Sequence, residues 1–242
     1  MLSKNSVYTT KITGMGSEGE GVGKIDGMAV FVPYALVGET VEVLIVKVLK
    51  NYAYGKIIKV IEPSPHRREP MCPYFYKCGG CDFWHTDYEN ELAYKTQKVE
   101  DCLKRIGKVN SEVNKTIGGA SETGYRNKAQ FPVTPDGIGF YAERSHRVIP
   151  IEKCIIQNEI NDKVLKTIRY YMNEFNVNAY DEKTHTGIIR YIFTRVGANT
   201  GEAMVCIVTL GERLPHKEKL VDMLRELNVT SIIQNINSKK TN

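Results

Sequence analysis

The sequence contains no apolar run approaching the roughly 18 residues that cross a bilayer. Its first residues, Met-Leu-Ser-Lys-Asn-Ser, offer neither an apolar stretch nor a small-residue cleavage site. No secretory signal is therefore expected, and a cytoplasmic protein is. A strong charge of one sign is also missing. The 33 Lys plus Arg face 28 Asp plus Glu, a net +5 interleaved along the chain, so charge alone designates no partner. There is no internal repeat and no low-complexity tract. What is present is ordinary for a folded chain: 42% hydrophobic and 25% charged residues, which exclude wholesale disorder. The 242 residues suit one to two domains. In a cytoplasmic setting the six cysteines are expected as thiols, metal ligands or catalysts rather than disulfides.

The first sixty residues read as a small barrel. Ser6–Thr13, Gly19–Ile25, Met28–Pro33, Thr40–Leu49 and Tyr52–Glu62 are β-rich runs parted by glycine-containing turns. Asp26-Gly27 between two of them is a strong hairpin signal. Residues 41–48 alternate only in part, as a strand shared by core and rim would. Five short strands without a helix fit an oligonucleotide-binding (OB-fold) type of β-barrel over residues 1–62. Three prolines at 63, 65 and 70 then mark a linker, which with the cysteine-rich loop occupies 63–86. Residues 87–242 read as an α+β domain. Helices are expected at Tyr88–Ile106, with Leu92, Val99, Leu103 and Ile106 on one face, at Asn158–Phe175 and at Pro215–Leu227. Strands are expected at Thr123–Val133, Gly137–Ala142, Gly187–Val196, Glu202–Leu210 and Thr230–Gln234.

The strongest chemical signal is Cys72-Pro-Tyr-Phe-Tyr-Lys-Cys78-Gly-Gly-Cys81, with Cys154 as a distant fourth candidate. Three thiols in a glycine-rich loop suit zinc or an iron–sulfur cluster. Structural zinc sites more often pair two Cys-x-x-Cys knuckles, and only one is present, so three clustered ligands and one remote ligand fit a cubane cluster better. His85 nearby reads as an incidental side chain of an exposed loop. Cys102 and Cys206 read as small core residues, since neither local context supplies a base or a positive setting to activate a nucleophile.

Gly14-Met15-Gly16-Ser17-Glu18-Gly19 matches the dinucleotide fingerprint, but glycines continue at 21 and 23 where a helix would have to begin. A loop between barrel strands is expected instead. Lys47, Lys50, Lys56 and Lys59 bracket Tyr52 and Tyr54, a mixture that grips phosphates and stacks bases. Farther on, Arg126, Lys128 and Gln130 share one side of a strand whose other side carries Ala129 and Phe131. With Arg144 and Arg147 just beyond, they would form a basic platform for structured RNA.

These residues resemble those of the RNA uracil-C5 methyltransferases, in particular the iron–sulfur group acting on 23S ribosomal RNA. The resemblance rests on a barrel like the TRAM domain and on the Cys72–Cys81 loop with Cys154. It extends to Gly124-Tyr125-Arg126-Asn127-Lys128, His185-Thr186-Gly187 and Gln234-Asn235-Ile236-Asn237. It implies a [4Fe-4S] cluster on Cys72, Cys78, Cys81 and Cys154, and an S-adenosylmethionine-dependent methyltransferase domain after the central domain. No adenosylmethionine-binding motif and no catalytic cysteine are found, so the resemblance implies an N-terminal portion that docks RNA, is inactive alone and meets adenosylmethionine only through a further domain. Neither a membrane nor a protein partner is suggested, and a monomer is expected. The alternatives are a free-standing TRAM-containing RNA-binding module with a structural zinc site, and a radical methylthiotransferase, whose cluster spacing and barrel position both differ.

Overall fold

The computed structural model describes residues 2–240. Its contacts divide the chain into two units, Met1–Met71 with Cys81–Gly118, and Cys72–Gly80 with Gly119–Asn242. Among the described residues no helix is long and apolar enough to cross a membrane.

The first unit holds a closed barrel of β1 (Val7–Met15), β2 (Gly21–Ile25), β3 (Met28–Val32), β4 (Thr40–Val48) and β5 (Tyr52–Glu62), in the order β1-β2-β3-β5-β4. β4 closes onto β1, and only the β3–β5 pair is parallel. In β4, Val41, Val43 and Ile45 point inward and are fully buried, while the last three residues are exposed. The partial alternation of this segment is therefore a strand leaving the core at its far end. Asp26 and Gly27 both take positive φ, 50° and 79°, as a tight two-residue hairpin turn requires. Gly55 faces the barrel interior, where a Cβ would lie 2.1 Å from Val43 Cγ1.

The proline-rich segment after β5 is tied to the barrel. The buried Glu39 carboxylate accepts from Arg67 Nε and Nη2 and from the Leu36 and Ser64 amides. Arg67 Nη2 also donates to the Tyr34 carbonyl at 2.7 Å. His85, expected on an exposed loop, is fully buried, its ring edge-on to Tyr34 with centroids 5.8 Å apart. Helix α1 (Tyr88–Asp101) starts at Asp87, whose side chain accepts from the Asn90 amide, and runs into one wide π-type turn at Cys102–Ile106. Its proposed apolar face is not a core face. No residue of α1 is buried, Val99 is 48% exposed and Ile106 80%. The helix instead docks through polar ends, Tyr94 Oη donating to the Gly16 carbonyl and Lys98 Nζ to that of Ser17.

The second unit is a six-stranded sheet, β6 (Lys128–Thr134), β7 (Gly137–Tyr141), β8 (Val148–Pro150), β9 (Ile189–Val196), β10 (Ala203–Thr209) and β11 (Val229–Ile236), ordered β11-β10-β9-β6-β7-β8. β10 and β11 run parallel, joined through α3 (Lys217–Glu226). α2 (Glu159–Glu174) begins at Asn158, whose side chain accepts from the Ile160 amide. Val164, Leu165, Ile168 and Tyr171 of α2, with Leu220 and Leu224 of α3, share one core with Ala129, Phe131, Val133, Ile192, Val205 and Ile207 of the sheet. Each of the Val, Leu, Ile and Phe side chains among them contributes roughly 1.5–3 kcal/mol by leaving water. Two differences from the sequence reading stand out. The short β8 was not anticipated. β6 begins at Lys128 rather than Thr123, because Gly124 and Arg126 spend their amides on the Ile155 and Ile156 carbonyls.

Candidate nucleic-acid interface

Because Ala53 points into the barrel, Tyr52 and Tyr54 point out, and Phe31 joins them from β3 between the buried Val30 and Val32. The three rings form a triangle with centroids 5.5, 5.8 and 5.6 Å apart. Lys47 pairs across the ladder with Tyr54, and Lys47, Lys50 and Lys56 are all exposed. Tyr52, Tyr54 and these lysines are named by the sequence; Phe31 is not. It sits in an all-apolar run, and only the inward direction of both neighbours shows that it faces out.

The Gly14–Gly19 loop joins β1 to β2 and is filled by protein. Its carbonyls receive Tyr94 and Lys98, and a Cβ on Gly19 would lie 2.8 Å from the Phe83 ring. It presents acceptors where a phosphate site needs amide donors, and no helix starts there.

In the second unit the Cys72–Gly80 segment is docked on the sheet, the Gly79 amide donating to the Tyr141 carbonyl at 3.1 Å. The Tyr74 hydroxyl receives the Glu152 amide, and Tyr74 and Cys154 pack against the same core. Cys72, Cys78 and Cys154 are half-buried, as is Cys81 in the other unit. Burial pushes the Cys78 thiol up, the Gly80 amide partly opposes this, and Cys72 is near enough to raise it further. The donor chemistry suits a soft metal or cluster. Even so, among the described residues no three His, Cys, Asp or Glu side chains converge closely enough to hold a metal ion. Of the other thiols, Cys102 is exposed and Cys206 half-buried on the open side of the sheet, so neither is a core residue.

That open side is the face without helices. Lys128 and Gln130 stand on it, exposed, while Ala129 and Phe131 point to the core. Arg126 lies just before β6, exposed, its backbone bridged to Gln157. Arg144 occupies the β7–β8 connection with φ of 51°, its Nε 3.4 Å from Glu143 Oε1.

A buried arginine that the sequence reading passed over links two of the quoted motifs. Arg190, 2% exposed, donates through Nη1 to the Asn237 and Lys239 carbonyls at 2.6 and 2.7 Å. Its guanidinium lies 4.3 Å from the centre of the Tyr180 ring, and Tyr180 Oη is 2.7 Å from His185 Nδ1. His185-Thr186-Gly187 and the segment after β11 are thus held together. The signal was available as a lone cation inside Ile188-Ile189-Arg190-Tyr191-Ile192.

Against this geometry the comparisons with known proteins are consistent. Residues 3–58 match the TRAM domain family. The whole chain is 47% identical to a Clostridium tetani protein named an uncharacterized RNA methyltransferase, and 44% identical to one so named from Halalkalibacterium halodurans, covering 54% of each. The chain therefore spans about half the length of the relatives it matches. Its fold is shared with the Pyrococcus abyssi tRNA (uracil-54, C5)-methyltransferase solved with S-adenosyl-L-homocysteine. That likeness has a TM-score of 0.72 at 24% identity, over 97% of this chain and 52% of the other. The TRAM barrel followed by a sheet with helices on one side agrees with the architecture expected from the sequence.

Proposed function

We propose that this chain provides the RNA-docking part of an S-adenosylmethionine-dependent RNA uracil-C5 methyltransferase acting on 23S ribosomal RNA. The observation that carries the reading is similarity along the entire chain to proteins named RNA methyltransferases. The barrel face of Phe31, Tyr52, Tyr54, Lys47, Lys50 and Lys56 supports it, since aromatic rings among lysines suit bases and phosphates. Arg126, Lys128, Gln130 and Arg144 of the second unit are proposed as further RNA contacts. Cys102 is exposed and Cys206 half-buried, with no hydrogen bond from either thiol to a general base among the described residues, and no catalytic role is assigned to a residue of this chain. A uracil inside folded RNA must leave its stack before C6 can be attacked, and holding the surrounding RNA is the work assigned here.

The proposal includes a [4Fe-4S] cluster held by Cys72, Cys78, Cys81 and Cys154. Its support is the thiol spacing and the packing of Tyr74, between Cys72 and Cys78, and of Cys154 on one core. Iron and acid-labile sulfide analysis of anaerobically purified protein tests it: about four of each per chain fits a cubane, whereas one zinc without sulfide supports the free-standing module. Replacing Cys78 with Ser is expected to lower the melting temperature and RNA affinity together, because metal-binding free energy becomes folding free energy. Unchanged melting would contradict that coupling.

The RNA reading is tested by binding of the chain to unmodified 23S ribosomal RNA fragments and to transfer RNA. Tighter binding to the ribosomal fragments, weakened by Tyr52→Ala, is expected. Preference for transfer RNA would move the substrate, and absence of binding to either would end the reading.

A further inference from the structure

The helix-free face of the second unit's sheet is ordered into rows by the strand register. Lys128, Arg195 and Met204 lie across β6, β9 and β10 in the first row. Gln130, Phe193, Cys206 and Ile233 form the second, and Pro132, Tyr191, Val208 and Asn235 the third. Apart from Pro132, the residues of these rows line an open groove of about 520 Å³. We infer that this groove is a stacking platform for unpaired RNA nucleotides, with Phe193 at its centre. The inference rests on the RNA-docking reading and deepens it.

Three features of the groove select this occupant. Its lining carries two cations, Lys128 and Arg195, side by side at one end, and no carboxylate. That composition complements a polyanion and repels a basic peptide. Its floor is aromatic and apolar: Phe193 is half-buried, and its ring centre is 6.4 Å from that of Tyr191. Tyr191 is held by its hydroxyl, 3.1 Å from that of Tyr141, so this part of the floor is pre-oriented. Ring faces recognise base faces, which a duplex hides and a single strand offers. The third feature is polar edges: the amides of Gln130, Asn235 and Asn237 line the same groove and can both donate to and accept from base edges. The Cys206 thiol, raised by burial, stays neutral and adds no negative charge to the floor. The other face of the sheet has none of these properties, being sealed by α2 and α3.

The experiment uses the full chain and two labelled RNA probes, a mixed-sequence single strand carrying 2-aminopurine and a hairpin duplex of the same composition. The single strand is expected to bind more tightly, with its aminopurine fluorescence quenched. Phe193→Ala should weaken single-strand binding about 5- to 100-fold and abolish the quenching, while Phe193→Trp should preserve both. The exposed pair Lys128→Ala with Arg195→Ala should lower the slope of log affinity against log salt by about 1.4, roughly 0.7 for each cation, without moving the melting temperature. Unchanged affinity and quenching in Phe193→Ala, together with an unchanged salt slope in the lysine–arginine variant, would overturn the platform and assign the face to packing against another polypeptide. RNA binding that then still falls with Tyr52→Ala would leave the docking reading intact, whereas no RNA binding by the unmodified chain would remove both.

Discussion

Gly187 sits where no other residue fits. Its φ is 102°, and a Cβ would stand 2.1 Å from the Ala179 carbonyl oxygen. Gly187→Ala should therefore destabilise the second unit by about 1–3 kcal/mol, read as a lower urea midpoint. The glycine was part of a quoted motif, yet the reason for it is a contact eight residues away. His85 shows the same limit more sharply. Burial first, then the charge of Arg67, lowers its pKa from 6.5 to about 4, with Glu39 partly opposing. Between pH 6.5 and about 4 the unfolded chain takes up a proton that the folded chain refuses. Stability is thus complete above the unfolded value and falls with pH through that window, by about 3 kcal/mol in all. Glu39 adds a second loss at lower pH. Its burial acts to raise the pKa, but hydrogen bonds from Arg67, Leu36 and Ser64 outweigh it and hold the carboxyl below 4.5. That stabilisation is present above 4.5 and disappears as pH falls through the depressed value. Thermal melts from pH 8 to 4 should show the decline, and His85→Gln should flatten its upper part.

At the scale of elements, the strands and the two buried helices were legible because their signals are local. Alternation, the Asp26-Gly27 turn and the Asn158 cap each act within a few residues. Asn158→Ala removes the acceptor of the Ile160 amide and should cost about 1 kcal/mol, measured by thermal unfolding. Helix α1 was legible as a helix but misread as a face. Leu92, Val99, Leu103 and Ile106 have a helical period, yet the helix is held by Tyr94 and Lys98 on loop carbonyls. Periodicity reports what a helix could bury, not whether a core exists to receive it. The short β8 escaped because three residues carry no period at all.

For the whole molecule, a net charge of +5 says less than where the charges stand. Lys47, Lys50 and Lys56 are clustered around rings on the barrel, and Lys128 and Arg195 are neighbours on the open sheet face. RNA affinity should consequently fall steeply with salt, with a log–log slope of about −2 to −4 if three to five phosphates are neutralised. A slope near zero in filter-binding titrations would show that these cations do not meet the backbone. The amino-acid order by itself determined the barrel and α+β segments, the thiol loop, and the Tyr52 and Lys128 patches, since period, turn chemistry and spacing are written in neighbouring residues. Only the tertiary structure decided that Phe31 faces outward, that Arg190 clamps the segment after β11, that His85 is buried, and that Phe193 stands beside Gln130 and Cys206 on an uncovered face. Those outcomes depend on which distant strands pair and which side the helices cover, and pairing across 60 residues leaves no mark within either strand.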